Sequence, residues 1–259
     1  MKLRAGIIAL ALKLGPKMLG LLGKMAKTLK VGKVGLAAAS AGSYAYLFSW
    51  KFAALIMLTL FVHESGHIWA MKWYGMKVKG IYFLPFFGGA AVSEDRCPSR
   101  EAEVVVALMG PFWGLVLSMI TALVGMAGDM PMLTASAVWM ALVNLFNLLP
   151  IIPLDGGRVM EGLFFSISNI LGVLFFVASC LIAGIALIYL KLWIFALLLP
   201  IGLLEFFAKW LTRKTIIPEL SLVGIVLGLL GYIVVGGLLF YTMIVCQSPD
   251  TEVALKLLM

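Results

Sequence analysis

The stretch Phe61-Val62-His63-Glu64-Ser65-Gly66-His67-Ile68-Trp69-Ala70 lies inside an apolar run from Phe52 to about Trp73. Ionisable side chains in such a run are costly at membrane depth and mark function by default, and three fall here within five positions. On a helix, His63 and His67 stand about 40° apart in projection and roughly 6 Å apart along the axis, on one face. Two imidazole nitrogens so placed can grip one Zn²⁺ at about 2.0–2.1 Å. Glu64 follows the first histidine and can reach a metal-activated water without being a ligand. H-E-x-x-H on a helix is the pattern in which that glutamate serves as general base of a metalloprotease. The plainer reading, two core histidines hydrogen-bonded to a buried glutamate, is disfavoured by the membrane setting.

Working outward, the chain of 259 residues is 63% hydrophobic with only 12% charged residues, about half the charge of a water-soluble domain, and its mean hydropathy is +1.10. These values predict an all-α polytopic membrane protein. The 20 Lys+Arg against 12 Asp+Glu give +8, and the excess sits at the N-terminus, which points to a membrane surface and not to nucleic acid. Cys97, Cys180 and Cys246 are scattered without C-x-x-C spacing, so neither a disulfide framework nor a zinc knuckle is indicated. Both histidines of the chain are in the motif. Any further protein ligand to a metal there is therefore a carboxylate or a cysteine.

Residues 1–33 are rich in lysine and free of acids. Lys2, Lys13, Lys17, Lys24 and Lys27 share one side of a helical wheel, with Leu14, Met18, Leu21, Leu22, Met25 and Leu29 opposite. That describes a basic amphipathic segment on anionic lipid; an organelle-targeting sequence is the other reading. A transmembrane domain over 34–246, with its core at 52–165, and a polar C-terminal tail over 247–259 complete the expected organisation. Apolar spans are expected at about 34–50, 52–73, 102–126, 135 onward, 167–190, 192–210 and 220–245, about six or seven transmembrane helices in all. Between the second and third, Met76–Val92 carries aromatics, Pro85 and paired glycines, the texture of a short membrane-associated β-hairpin or re-entrant loop. The positive-inside rule places the N-terminus and the motif end of its helix in the cytoplasm, with the Gly128 turn outside.

Asp155 is the best candidate for a third ligand, since it follows a helix broken by Pro150, Pro153, Gly156 and Gly157 on the same side of the membrane as the histidines. Glu205, within a later span, is its rival. An Asx-turn role for Asp155 is the structural alternative.

Together, His63-Glu64-Ser65-Gly66-His67 and Asn147-x-x-Pro150-x-x-Pro153-Leu154-Asp155-Gly156-Gly157, about 90 residues apart, resemble the site-2 protease family of intramembrane zinc metalloproteases. The resemblance covers roughly Phe52 to Gly157. It implies one Zn²⁺ on His63, His67 and Asp155, a catalytic Glu64, and an Asn147 that contacts the substrate backbone. It also implies a hairpin containing Gly88 and Gly89 that offers an edge to an extended substrate. One position departs from the family pattern: members often carry Ala-Gly-Pro-x-x-Asn, where this chain has Met109-Gly110-Pro111-Phe112-Trp113-Gly114, so a supporting polar contact is lost.

The function expected on this reading is hydrolysis of peptide bonds in or near transmembrane segments of membrane-protein substrates. The setting expected is a multi-pass protein of a bacterial cytoplasmic (inner) membrane. The alternative is a non-proteolytic zinc-binding membrane protein that binds client helices, against which an intact Glu64 argues, because a structural zinc site needs no general base.

Overall fold

The computed structural model describes residues 32–84, 88–189, 191, 195–211 and 218–258. The basic segment expected over residues 1–33 lies almost wholly outside them. Nine helices and one hairpin are found among the described residues: α1 (Lys33–Leu47), α2 (Trp50–Trp73), β1 (Val78–Leu84), β2 (Gly88–Ser93), α3 (Arg100–Ala127), α4 (Pro131–Asn147), α5 (Asp155–Ile167), α6 (Asn169–Ile188), α7 (Phe195–Leu211), α8 (Leu222–Val245) and α9 (Pro249–Leu258). Of these, α2, α3, α6 and α8 are long and apolar enough to cross a membrane, and α4 is a shorter apolar helix. The chain is an integral membrane protein, mostly helical, with a two-stranded hairpin.

Helix α2 is bounded by local chemistry at both ends. The Ser49 side chain caps its first turn by accepting from the Phe52 N–H at 3.1 Å. At the other end Gly75 adopts φ +72°, where a side chain is penalised. Met76 N–H then reaches the Met71 carbonyl and Gly75 N–H the Lys72 carbonyl, both at 2.9 Å. This is a Schellman stop, with Met71 and Met76 in apolar contact beneath it. The chain therefore leaves the helix directly into the hairpin, two turns beyond His67.

Helix α3 is the hub, packing against α2, α4, α5 and α8. Apolar burial does not drive helices together in lipid, so close approach depends on small residues and van der Waals fit. Gly66 of α2 lies against the Met109 carbonyl of α3, and a Cβ on Gly110 of α3 would strike both motif imidazoles. These two glycines press α3 onto the histidine face. Val104, Ala107, Leu108 and Leu115 of α3 meet Ala141 of α4, Val159 and Leu163 of α5, and Val235 and Leu239 of α8 in the main core. The outward faces of α6 and α8, with Ile170, Leu181, Ile188, Leu222, Leu227 and Ile233 exposed, are suited to lipid contact.

In the hairpin, Tyr82 pairs with Ala90 and Leu84 with Gly88, with a register irregularity between Val78 and Gly80. β1 packs on α1, where the Lys33 ammonium binds the Lys79 carbonyl and sits 5.2 Å from the Tyr82 ring centroid. β2 packs on α2.

Two segments differ from the sequence expectation. Asp155 is not on a bend but is the first residue of α5. Gly156 and Gly157 are inside that helix although each costs about 1 kcal/mol relative to alanine, because their faces lie against the Leu148 and Ile151 carbonyls of the preceding loop. They allow contact there; they do not break the helix. Residues after Cys246, read as a polar tail, form α9, whose Ala254 and Leu258 are buried against Phe52, Ala135 and Met140. Ser49 donates to the Leu258 carbonyl at 2.5 Å, tying this helix to the start of α2.

Candidate metal centre and active site

One turn of α2 and the first residue of α5 bring three donor atoms together. His63 Nε2 lies 3.1 Å from His67 Nε2 and 3.0 Å from Asp155 Oδ2, and His67 Nε2 is 3.3 Å from the same oxygen. All three residues are buried. Ligands about 2.0–2.1 Å from a tetrahedral zinc stand about 3.3 Å from one another, so the triangle needs only slight expansion to accept the ion. The donor set also fits: two imidazoles and one carboxylate with a fourth position open is a catalytic arrangement for zinc, not a closed structural one. Among the described residues this is the one group of such side chains close enough to hold a metal ion.

Each histidine is held through its other ring nitrogen. His67 Nδ1 is 2.7 Å from the Val106 carbonyl of α3, and His63 Nδ1 is 2.8 Å from Asn144 Oδ1 of α4. Both acceptors call for a proton on Nδ1, which leaves the two Nε2 lone pairs facing each other and Asp155. Asp155 owes its position to the α5 N-terminus, where the helix dipole favours a negative charge. The loop leading to it is pinned by later helices: Tyr232 of α8 donates to the Leu148 carbonyl at 2.5 Å, and Ser179 of α6 accepts from Ile152 N–H at 2.9 Å.

Glu64 is buried one residue from the donor triangle. Its Oε2 accepts from Ala91 N–H of β2 at 2.6 Å, so the edge of β2 that turns away from β1 faces the carboxylate. A cavity of about 450 Å³ opens here, lined by His63, Glu64, His67 and Asp155 together with Gly89, Asn147, Arg158, Leu198 and Ile201. Both β2 and α7 thus contribute to its walls.

The structure places the expected residues as follows. His63, His67 and Asp155 converge, and Glu64 joins them in the cavity. Asn147 lines that cavity and donates to the Val143 carbonyl at 3.2 Å. Gly89 lies against Glu64, and Gly88, at φ +95°, opens β2 beside Leu60. The Glu205 side chain lies outside the described ones. Reading the sequence missed Asn144, although a polar amide inside an apolar helix is itself a signal of function.

Parts of this chain are similar to known proteins. Residues 51–133 match the model of Peptidase family M50. A zinc metalloprotease of Methanocaldococcus jannaschii is 31% identical over 121 residues, 43% of this chain and 35% of that protein. Stage IV sporulation protein FB of Bacillus subtilis is 26% identical over 182 residues, 61% of this chain and 63% of that protein. The matched stretch thus spans only about a third of the first relative's length. Among solved structures, the site-2 protease from Methanocaldococcus jannaschii aligns with a TM-score of 0.45 and 21% identity, over 72% of this chain and 90% of that one.

Proposed function

We propose that this chain, whose residues 51–133 match the model of Peptidase family M50, is an intramembrane zinc metalloprotease that hydrolyses peptide bonds in or near transmembrane segments of membrane-protein substrates. The observation that supports this most is a carboxylate that is not part of the donor triangle, Glu64, buried in the same cavity as the triangle and next to a strand edge. A structural zinc site has no use for that fourth group.

His63, His67 and Asp155 would hold the ion, which would supply Lewis-acid polarisation of the scissile carbonyl and acidify water when bound. Glu64 takes the proton of the attacking water and returns it to the leaving amine. Glu64 is buried in the cavity that the donors line, which shields the transfer from bulk solvent. A helical substrate hides its carbonyls in hydrogen bonds, so the segment to be cut must unwind. β2 offers backbone groups along one edge of the cavity to a chain that has done so. Asn147, on the cavity wall, contacts the substrate backbone. Gly88 and Gly89 keep side chains off the strand end nearest Glu64.

The proposal extends to the setting. The chain crosses a bacterial cytoplasmic membrane with six or seven helices, four of them α2, α3, α6 and α8. Its basic N-terminus lies on anionic lipid, and the active site opens towards the cytoplasm.

The test is purified wild type in detergent against a panel of single-span helices, before and after stripping with a zinc chelator. Cleavage should cease with the metal and return on adding zinc alone. Zinc-loaded protein that cuts nothing in the panel would instead favour a role in binding client helices.

Gly89 gives a second prediction. A Cβ there would lie 2.6 Å from Glu64 Cγ and 2.9 Å from Oε1, so Gly89→Ala must move either the strand or the base. Misplacement by about 1 Å can cost on the order of 10²-fold in rate. The variant should show that loss in kcat with unchanged zinc content, since no donor is touched. An unaltered kcat would show that the spacing between β2 and Glu64 is not critical.

A further inference from the structure

Asn144 is fully buried on α4 and belongs to neither the donor triangle nor the cavity lining. Its Nδ2 donates to the Met140 carbonyl one turn back at 2.8 Å. That bond assigns the amide: the group facing a carbonyl is the NH₂, so the atom 2.8 Å from His63 Nδ1 is the acceptor oxygen. His63 therefore carries its proton on Nδ1 and presents a lone pair at Nε2, the atom that meets His67 and Asp155. Both ends of the amide are used, and the ring is oriented by an amide that is itself locked.

The space for this amide comes from α3. A Cβ built on Gly114 would collide with Cγ, Oδ1 and Nδ2 of Asn144. Any side chain at 114 must push the amide away from His63. Conversely, an asparagine's oxygen lies about 2.4 Å beyond its own Cβ, so an asparagine at 114 can reach the space that the Asn144 amide fills.

We propose that Asn144 is the positioning residue of His63, setting its tautomer and ring orientation for metal binding, and that Gly114 is required because it vacates the space that the Asn144 amide occupies. The proposal rests on the metal reading of the donor triangle. It predicts that the amide can be supplied from either helix but not from both at once.

The experiment measures zinc affinity by chelator competition, together with thermal unfolding of the zinc-free protein, in detergent-purified wild type and four variants. Asn144→Leu keeps the volume and removes the acceptor; partners that orient a ligating histidine are worth roughly 10–100-fold in metal affinity, and a loss of that size is expected with little change in zinc-free unfolding. Asn144→Asp keeps the acceptor and, as the acid, a donor for the Met140 carbonyl, and should bind zinc as tightly as wild type. Gly114→Asn alone should lose affinity as Asn144→Leu does. Gly114→Asn combined with Asn144→Gly should recover most of that loss. Wild-type affinity in Asn144→Leu would overturn the proposal. Should that variant fail to fold, a folded Asn144→Asp with weakened zinc, or a folded double variant no better than Gly114→Asn, would overturn it equally. Wild type that takes up no zinc overturns the metal reading beneath it, and is recognised without any variant.

Discussion

Glu64→Gln is expected to keep one zinc per chain and to lose cleavage. Glutamine preserves the length and shape of the side chain, and its carbonyl oxygen can still accept from Ala91 N–H, now 2.6 Å from Oε2. The hairpin should therefore stay in place, and the donor triangle, to which Glu64 contributes nothing, is untouched. What the amide cannot do is accept a proton from water. General acid–base catalysis contributes roughly 10²–10⁴-fold, and the loss should be at least that large because the same group is assigned both proton transfers. Zinc content and single-turnover cleavage of a transmembrane substrate, measured side by side on wild type and variant, decide the matter. Residual cleavage within tenfold of wild type would remove Glu64 from its assigned role.

Asp155→Ala should lose the zinc itself. Only two donors would remain, both from α2, and nothing else described lies near enough to replace the third. The affinity loss should exceed the roughly 10–100-fold typical of groups that only orient a ligand, and cleavage should disappear with the metal. Asp155 is buried against both histidines, so thermal unfolding of the zinc-free variant, measured beside wild type, separates loss of the ligand from loss of the fold. Asp155→Asn, which keeps the shape, should lie between wild type and alanine. Full zinc occupancy in Asp155→Ala would reassign the third ligand, with Glu205 the residue to test next.

The two predictions differ in what they remove, and together they separate metal from base. A variant that keeps zinc and loses cleavage has lost proton transfer. One that loses both has lost the centre.

The spacing of His63 and His67 in an apolar run determined the motif helix, its shared donor face and the place of Glu64, because those follow from helix period and from the cost of ionisable groups in hydrocarbon. The approach of Asp155 to the two histidines was also legible, from the prolines that end the helix before it. The hairpin, too, was legible from its glycines and aromatics. Other features depended on how distant segments pack. Gly156 and Gly157 read as helix breakers, yet they lie within α5 because carbonyls of the preceding loop press against them. A string of residues carries propensity but not that contact. The sequence after Cys246 looked polar, although Ala254 and Leu258 find apolar partners on α2 and α4. Gly114, where an asparagine was missing from the family pattern, looked like a lost polar contact. In the fold, the amide of Asn144 on a different helix fills that space. Periodicity shows which residues share a face. Only the packed structure shows which face each one meets, because the spaces between helices are set by side chains from both.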